Sequence, residues 1–152
     1  MGVAKKNIFA GEGKIVLLAE DEPIVRSVVS INLRRMGLDV LSVSDGVEAV
    51  DMFKVNSVDL ALLDYRMPHM DGYSAFKKIR AINPDLPVVI ISGHDDQSII
   101  TRFGSEQPNQ ILIKPVPGAT LREAIARWIP MPGVATGVIP DEPTANRVDK
   151  SF

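Results

Sequence analysis

Five short apolar runs recur along the chain: Ile15-Val16-Leu17-Leu18, Val40-Leu41-Ser42-Val43, Leu60-Ala61-Leu62-Leu63, Val88-Val89-Ile90-Ile91 and Ile111-Leu112-Ile113. No other feature narrows the fold as much. Runs that are mostly apolar, rather than apolar at alternate positions, suit strands buried on both faces, and such strands belong to parallel sheets covered by helices. The segments between them carry helical period. Val25, Val28, Val29, Leu33 and Met36 mark one stripe, Gly46, Ala49, Val50 and Phe53 a second, Gly72, Ala75, Phe76 and Ile79 a third, and Leu121, Ala124, Ile125 and Trp128 a last. Between Asp95 and Asn109, Gly104 and Pro108 leave room for only about two turns around Gln97 to Phe103, which predicts a short, mobile fourth helix. Strand alternating with helix specifies an α/β domain with an open parallel sheet and helices on both faces.

Local signals agree with these boundaries. Pro23 suits a first helical turn, Gly37 suits the left-handed residue after a helix, and Ser44 or Asp45 can cap the next one. The domain is expected over residues 13–130, after a flexible N-terminal segment at 1–12 and before a Pro/Gly-rich disordered tail or linker at 131–152. A length of 152 residues with 45% apolar content fits one such unit. The net charge of −2 and the lack of a long basic run argue against direct nucleic-acid binding. The absence of cysteine excludes disulfides and thiolate chemistry and fits a cytoplasmic setting. Ile8-Phe9-Ala10 is too short for a signal peptide or a membrane span, so no membrane role is expected.

In a sheet of this kind ligands sit at the carboxyl ends of the strands. Glu20-Asp21-Glu22 follows the first strand, Asp64 ends the third and opens the loop Asp64-Tyr65-Arg66-Met67-Pro68-His69-Met70-Asp71-Gly72, Ser92 follows the fourth, and Lys114 follows the fifth. Crowded carboxylates repel and drift toward protonation unless a hard divalent cation, most naturally Mg2+, neutralises them and leaves positions for phosphate oxygens. The set therefore points to phosphoryl chemistry. Glu22 is read instead as a complement to the positive end of the helix opening at Pro23.

These residues resemble the receiver domain of two-component response regulators, the CheY-like family. The resemblance covers roughly residues 14 to 130. It rests on Glu20-Asp21-Glu22-Pro23, on Leu62-Leu63-Asp64 with Met67-Pro68 and Met70-Asp71-Gly72, on Ser92-Gly93 and on Lys114-Pro115, a set that is specific in this order. It implies a flavodoxin-like (βα)5 three-layer sandwich whose five-stranded sheet has the order 2-1-3-4-5; that order comes with the resemblance and not from the residues. It further implies that Asp64 takes a phosphoryl group from the phosphohistidine of a histidine kinase or histidine phosphotransfer protein. Asp21, Asp64 and the backbone carbonyl of Arg66 would hold Mg2+, with Glu20 acting nearby through water. Lys114 would pair with Asp64 and then with the phosphoryl group, and the Ser92 hydroxyl would swing toward it as a switch. The Lys114-Pro115 bond is a candidate cis peptide. Output would pass to a downstream protein through the face of the fourth helix, fifth strand and fifth helix, and a homodimer is compatible with this. Such a chain is a phosphorelay switch and not an enzyme, catalysing only its own phosphorylation and dephosphorylation.

One position departs from the family. Ile111 stands where many receivers carry a switch aromatic, and a β-branched side chain is stiff at its first torsion. The signal is then expected to pass through rearrangement of the loop and the fourth helix. His69 and His94 read as exposed polar residues, His94 being near enough to Ser92 to affect attacking water, and Trp128 reads as a packing residue. Gly11-Glu12-Gly13 precedes the first strand and cannot form a nucleotide loop after it. Two alternatives remain within this chemistry. The chain is a receiver module cut from a hybrid sensor kinase, or it is an aspartate-nucleophile phosphatase of the haloacid dehalogenase type. The second needs an aspartate two residues after Asp64, where Arg66 stands. A degenerate receiver is disfavoured by the complete set of acids, hydroxyl and lysine.

Overall fold

The computed structural model describes residues 13–93 and 97–129. The segments expected at 1–12 and 131–152, and His94, lie outside the described residues. Strands β1 (Ile15–Ala19), β2 (Asp39–Val43), β3 (Leu60–Asp64), β4 (Val88–Ser92) and β5 (Gln110–Ile113) alternate with helices α1 (Pro23–Arg35), α2 (Gly46–Val55), α3 (Gly72–Ile82), α4 (Gln97–Phe103) and α5 (Gly118–Trp128). The strands form one parallel sheet in the order β2-β1-β3-β4-β5.

Because successive strand residues point to opposite faces, each apolar run fills two cores at once. Leu17, Ala19, Ala61, Leu63, Val88 and Ile90 pack with Phe53 of α2, Phe76 and Ile79 of α3, and Ile99 and Phe103 of α4. Val16, Leu18, Leu60, Leu62, Val89 and Ile91 pack with Leu33 of α1 and Leu121 and Ile125 of α5. Three layers result.

The helix signals act as expected, with one correction. Pro23 opens α1, and Gly37 takes φ 87° after it, where the amides of Gly37 and Leu38 close onto the carbonyls of Arg34 and Leu33. Asp45 caps α2 by accepting from the Glu48 amide at 2.8 Å, while Ser44 bonds the Glu48 carboxylate. Val28, placed above in the apolar stripe of α1, is 52% exposed, and Ile24 is 80% exposed. Helix α1 has more apolar residues than its buried face can take, and the surplus lies on the surface. Trp128 is half-buried against the α1/α5 core and donates from Nε1 to Gln110 on β5.

Candidate functional site

Parallel pairing brings the carboxyl ends of β1, β3, β4 and β5 to one edge of the sheet. The Glu20 amide donates to the Val43 carbonyl at 3.1 Å, and its own carbonyl accepts from the Arg26 guanidinium at 2.7 Å, so the residue after β1 is held from both sides. Asp64 ends β3, and the Tyr65 amide beyond it donates to the Ile91 carbonyl at 2.7 Å. The loop then folds back, with the Gly72 amide donating to the Tyr65 carbonyl at 2.9 Å. A Cβ at Gly72 would overlap the Asp64 carbonyl oxygen, which is why glycine stands at the start of α3. On the far side the Lys114 amide donates to the Ser92 carbonyl at 2.7 Å, and the Lys114–Pro115 peptide is cis.

Four of the expected side chains meet. Carboxylate oxygens of Glu20, Asp21 and Asp64 all lie within 4.8 Å of one another. The Lys114 ammonium stands between two of them, 3.0 Å from Asp64 Oδ2 and 3.1 Å from Glu20 Oε1. Glu20 and Asp64 are buried while Asp21 is exposed. Burial pushes the Glu20 carboxyl up to about 7; the Glu22 amide, donating at 3.1 Å, and the Lys114 ammonium oppose this, and the neighbouring Asp64 charge adds to it. Burial also raises Asp64 against the pull of Lys114. Burial alone would lower Lys114, but its bonds to Asp64 and Glu20 win and raise it. One ammonium does not balance three carboxylates. An all-oxygen, net-negative set open to solvent suits a hard divalent cation rather than a soft one.

Asp21, Glu22, Asp64, Arg66, Gly93 and Lys114 line one cleft of about 300 Å³. Ser92 is buried at the end of β4, one residue before Gly93. Ile111 pairs with Ile90 in register and packs, half-buried, against the core under α2, α3 and α4. Glu22 sits at the N-cap of α1, the helix end whose positive dipole it is expected to complement, makes no side-chain cap bond and borders the cleft.

Three features were not anticipated. His69, in the left-handed region at φ 67°, has a 70% exposed side chain as expected, yet its Nδ1 lies 2.8 Å from the Asp45 carboxylate and ties the loop after β3 to the N-cap of α2. Arg102 of α4 donates to the Tyr65 hydroxyl at 3.0 Å and to Asp71 at 2.8 Å. The exposed Ile24 and Val28, with Val25, Pro115 and Val116, line an apolar groove of about 440 Å³ that Glu20 and Lys114 also border. Only the last had a sequence signal, an excess of valine and isoleucine on the first helical segment.

The chain matches the family described as the response regulator receiver domain over residues 16–126. It is 32% identical over 114 residues to the autoinducer 1 sensor kinase/phosphatase LuxN of Vibrio campbellii, covering 75% of this chain and 13% of that protein. It is 33% identical over 123 residues to the transcriptional regulatory protein CseB of Streptomyces avermitilis, covering 80% of this chain and 52% of that protein. The chain thus spans only part of the length of these relatives. Among solved structures, the receiver domain of the sensor histidine kinase PA1611 from Pseudomonas aeruginosa, with magnesium coordinated in its active-site cleft, aligns with a TM-score of 0.71 at 33% identity, over 76% of this chain and 97% of that one. With the sheet order, the acid cluster and the strand-end lysine all in place, the chain belongs to the response regulator receiver domain family.

Proposed function

We propose that residues 13–130 form a phosphoacceptor switch in which Asp64 takes a phosphoryl group from a phosphohistidine. The observation that carries this is the Lys114 ammonium bridging the buried Asp64 and Glu20 at 3.0 and 3.1 Å beside Asp21. In the transfer an Asp64 carboxylate oxygen forms a bond to phosphorus as the phosphorus–nitrogen bond of the donor imidazole breaks, and the freed nitrogen keeps the electron pair and takes up a proton. Asp21, Asp64 and the Arg66 carbonyl, with Glu20 through water, would hold Mg2+; when bound, the cation supplies charge neutralisation on the phosphoryl oxygens. The magnesium in the Pseudomonas receiver domain supports this choice of cation. Lys114 exchanges its bond to Asp64 for one to the phosphoryl group, and the Ser92 hydroxyl donates to another oxygen.

The donor is a histidine kinase or a histidine phosphotransfer protein, seated in the apolar groove of α1 that shares Lys114 with the acidic cleft. Output goes to a downstream protein through α4, β5 and α5, where Ile100 and Ile113 are 43% and 40% exposed. No described helix is long and apolar enough to cross a membrane. A cysteine-free chain fits a cytoplasmic setting. Arg66 in place of an acidic group two residues after Asp64 speaks against a phosphatase.

The test is the mass of the intact protein after incubation with Mg2+ and acetyl phosphate. One phosphoryl group should appear, labile to base, and none on Asp64→Asn. Sustained turnover of the donor without a captured intermediate would favour the phosphatase, and no uptake at all would end the proposal.

A further inference from the structure

Glu20 and Asp21 lie between the end of β1 and the N-cap of α1, where no ladder or helix fixes the backbone. Glu20 is nonetheless held at every polar atom. Its amide donates to the Val43 carbonyl at 3.1 Å, its Oε1 meets the Lys114 ammonium at 3.1 Å, its Oε2 accepts from the Glu22 amide at 3.1 Å, and its carbonyl accepts from Arg26 Nη1 at 2.7 Å. A cation at the acid cluster competes for the two carboxylate oxygens. The Arg26 bond is spared that competition, because it uses only the backbone. A peptide unit is planar, so a bond that fixes the Glu20 carbonyl also fixes the Asp21 amide and the direction in which the Asp21 Cα leaves it. Asp21 needs such a hold. Its side chain is exposed and makes no hydrogen bond or ion pair among the described residues.

Arg26 stands where a positive charge is unfavourable. It is the fourth residue of α1, near the positive end of the helix dipole. It is also half-buried beside an acid cluster that suits a divalent cation, and a guanidinium repels that cation. Neither the helix nor the ion accounts for arginine at this position; the 2.7 Å bond does. We infer that Arg26 is a positioning residue of the magnesium site. By pinning the peptide between Glu20 and Asp21 it keeps the Asp21 carboxylate within 4.8 Å of those of Glu20 and Asp64, so that oxygens from the ends of β1 and β3 are set for one ion. The inference rests on the magnesium part of the phosphoacceptor reading. Mg2+ demands near-ideal octahedral geometry and tolerates little displacement of a ligand, so a fixed peptide matters more to it than to a larger ion. Groups that hold metal ligands without touching the metal commonly set affinity by roughly ten- to a hundredfold.

Removing Arg26 has two effects of opposite sign. Loss of a nearby positive charge tightens Mg2+ binding, whereas loss of the hold on the peptide weakens it. Mg2+ affinity is measured by isothermal titration calorimetry on the full, unphosphorylated chain, and phosphoryl uptake from acetyl phosphate by intact mass across a Mg2+ series. Arg26→Met, which keeps an unbranched apolar stem, should bind Mg2+ at least about tenfold more weakly than the wild type. Its half-saturating Mg2+ concentration for uptake should rise by the same factor, and its deficit in uptake should shrink as Mg2+ is raised. Arg26→Lys, with the charge and a donor but a shorter reach, should lie between. Wild-type or tighter Mg2+ binding in Arg26→Met, or an equal loss in both variants, would overturn the positioning role and leave the phosphoacceptor reading standing. Should Arg26→Met fail to fold, Arg26→Lys decides alone, weakened binding supporting the role and wild-type binding overturning it. A wild type that binds Mg2+ yet takes up no phosphoryl group would end the phosphoacceptor reading alone; one that binds no Mg2+ would end both.

Discussion

Lys114 contacts both buried carboxylates, and its loss should leave the fold and take away the chemistry. Lys114→Met should retain its far-ultraviolet circular dichroism and accept phosphoryl from acetyl phosphate at least about tenfold more slowly, the cost of one charged hydrogen bond. Asp45 gives a prediction about acid. The Glu48 amide, and then His69, hold its carboxyl below the ordinary carboxylate range. Its charged form therefore stabilises the fold above about pH 4, and that contribution fades as the pH falls through the lowered value. In urea melts, Asp45→Ala should cost about 1 kcal/mol at pH 7, with the gap to wild type closing toward pH 3; a gap that widens in acid contradicts the assignment. The acids and Lys114 were legible in the sequence because each directly follows a continuous apolar run, and parallel strands carry such ends to one edge. The Asp45–His69 pair and the Arg102 contacts were not. They depend on where loops and helices come to rest against each other, which spacing along the chain does not encode.

All five strands and five helices coincide closely with the periodicity in the sequence, down to α4 at Gln97–Phe103, where Gly104 at φ 63° ends the helix. Period failed only on the outer face of α1. A stripe defined by hydrophobicity cannot tell residues that pack on the sheet from those left over, and Val28 is left over. The strands differ in what they risk. Leu62 is fully buried in the middle strand of the sheet, so Leu62→Ala should lower stability by about 3 kcal/mol, read as a drop in the urea midpoint at unchanged slope. Gly72→Ala belongs here as well, since its Cβ has no room against the Asp64 carbonyl; a loss of about 1–3 kcal/mol is expected, with phosphoryl uptake impaired because the displaced backbone is that of the proposed acceptor Asp64.

For the whole molecule, alternation in the sequence sufficed for a parallel sheet but not for its order, since many windings satisfy the same pattern; 2-1-3-4-5 was supplied by family likeness and is the order observed. That order places β1 and β3 side by side, and hence Asp21 next to Asp64. It also sets α1 and the loop after β5 around the apolar groove. Ile24→Asp should slow phosphoryl transfer from a protein donor by about tenfold or more and leave uptake from acetyl phosphate unchanged; equal slowing of both would remove the groove from the account. Lys114 borders both that groove and the acidic cleft, and Glu20, paired with it, borders the groove. A visitor covering the first would shut bulk water out from around the second, and the drier medium would tighten the hold of the ammonium on any departing phosphoryl group. Choosing the right donor and hastening its reaction would then be one event.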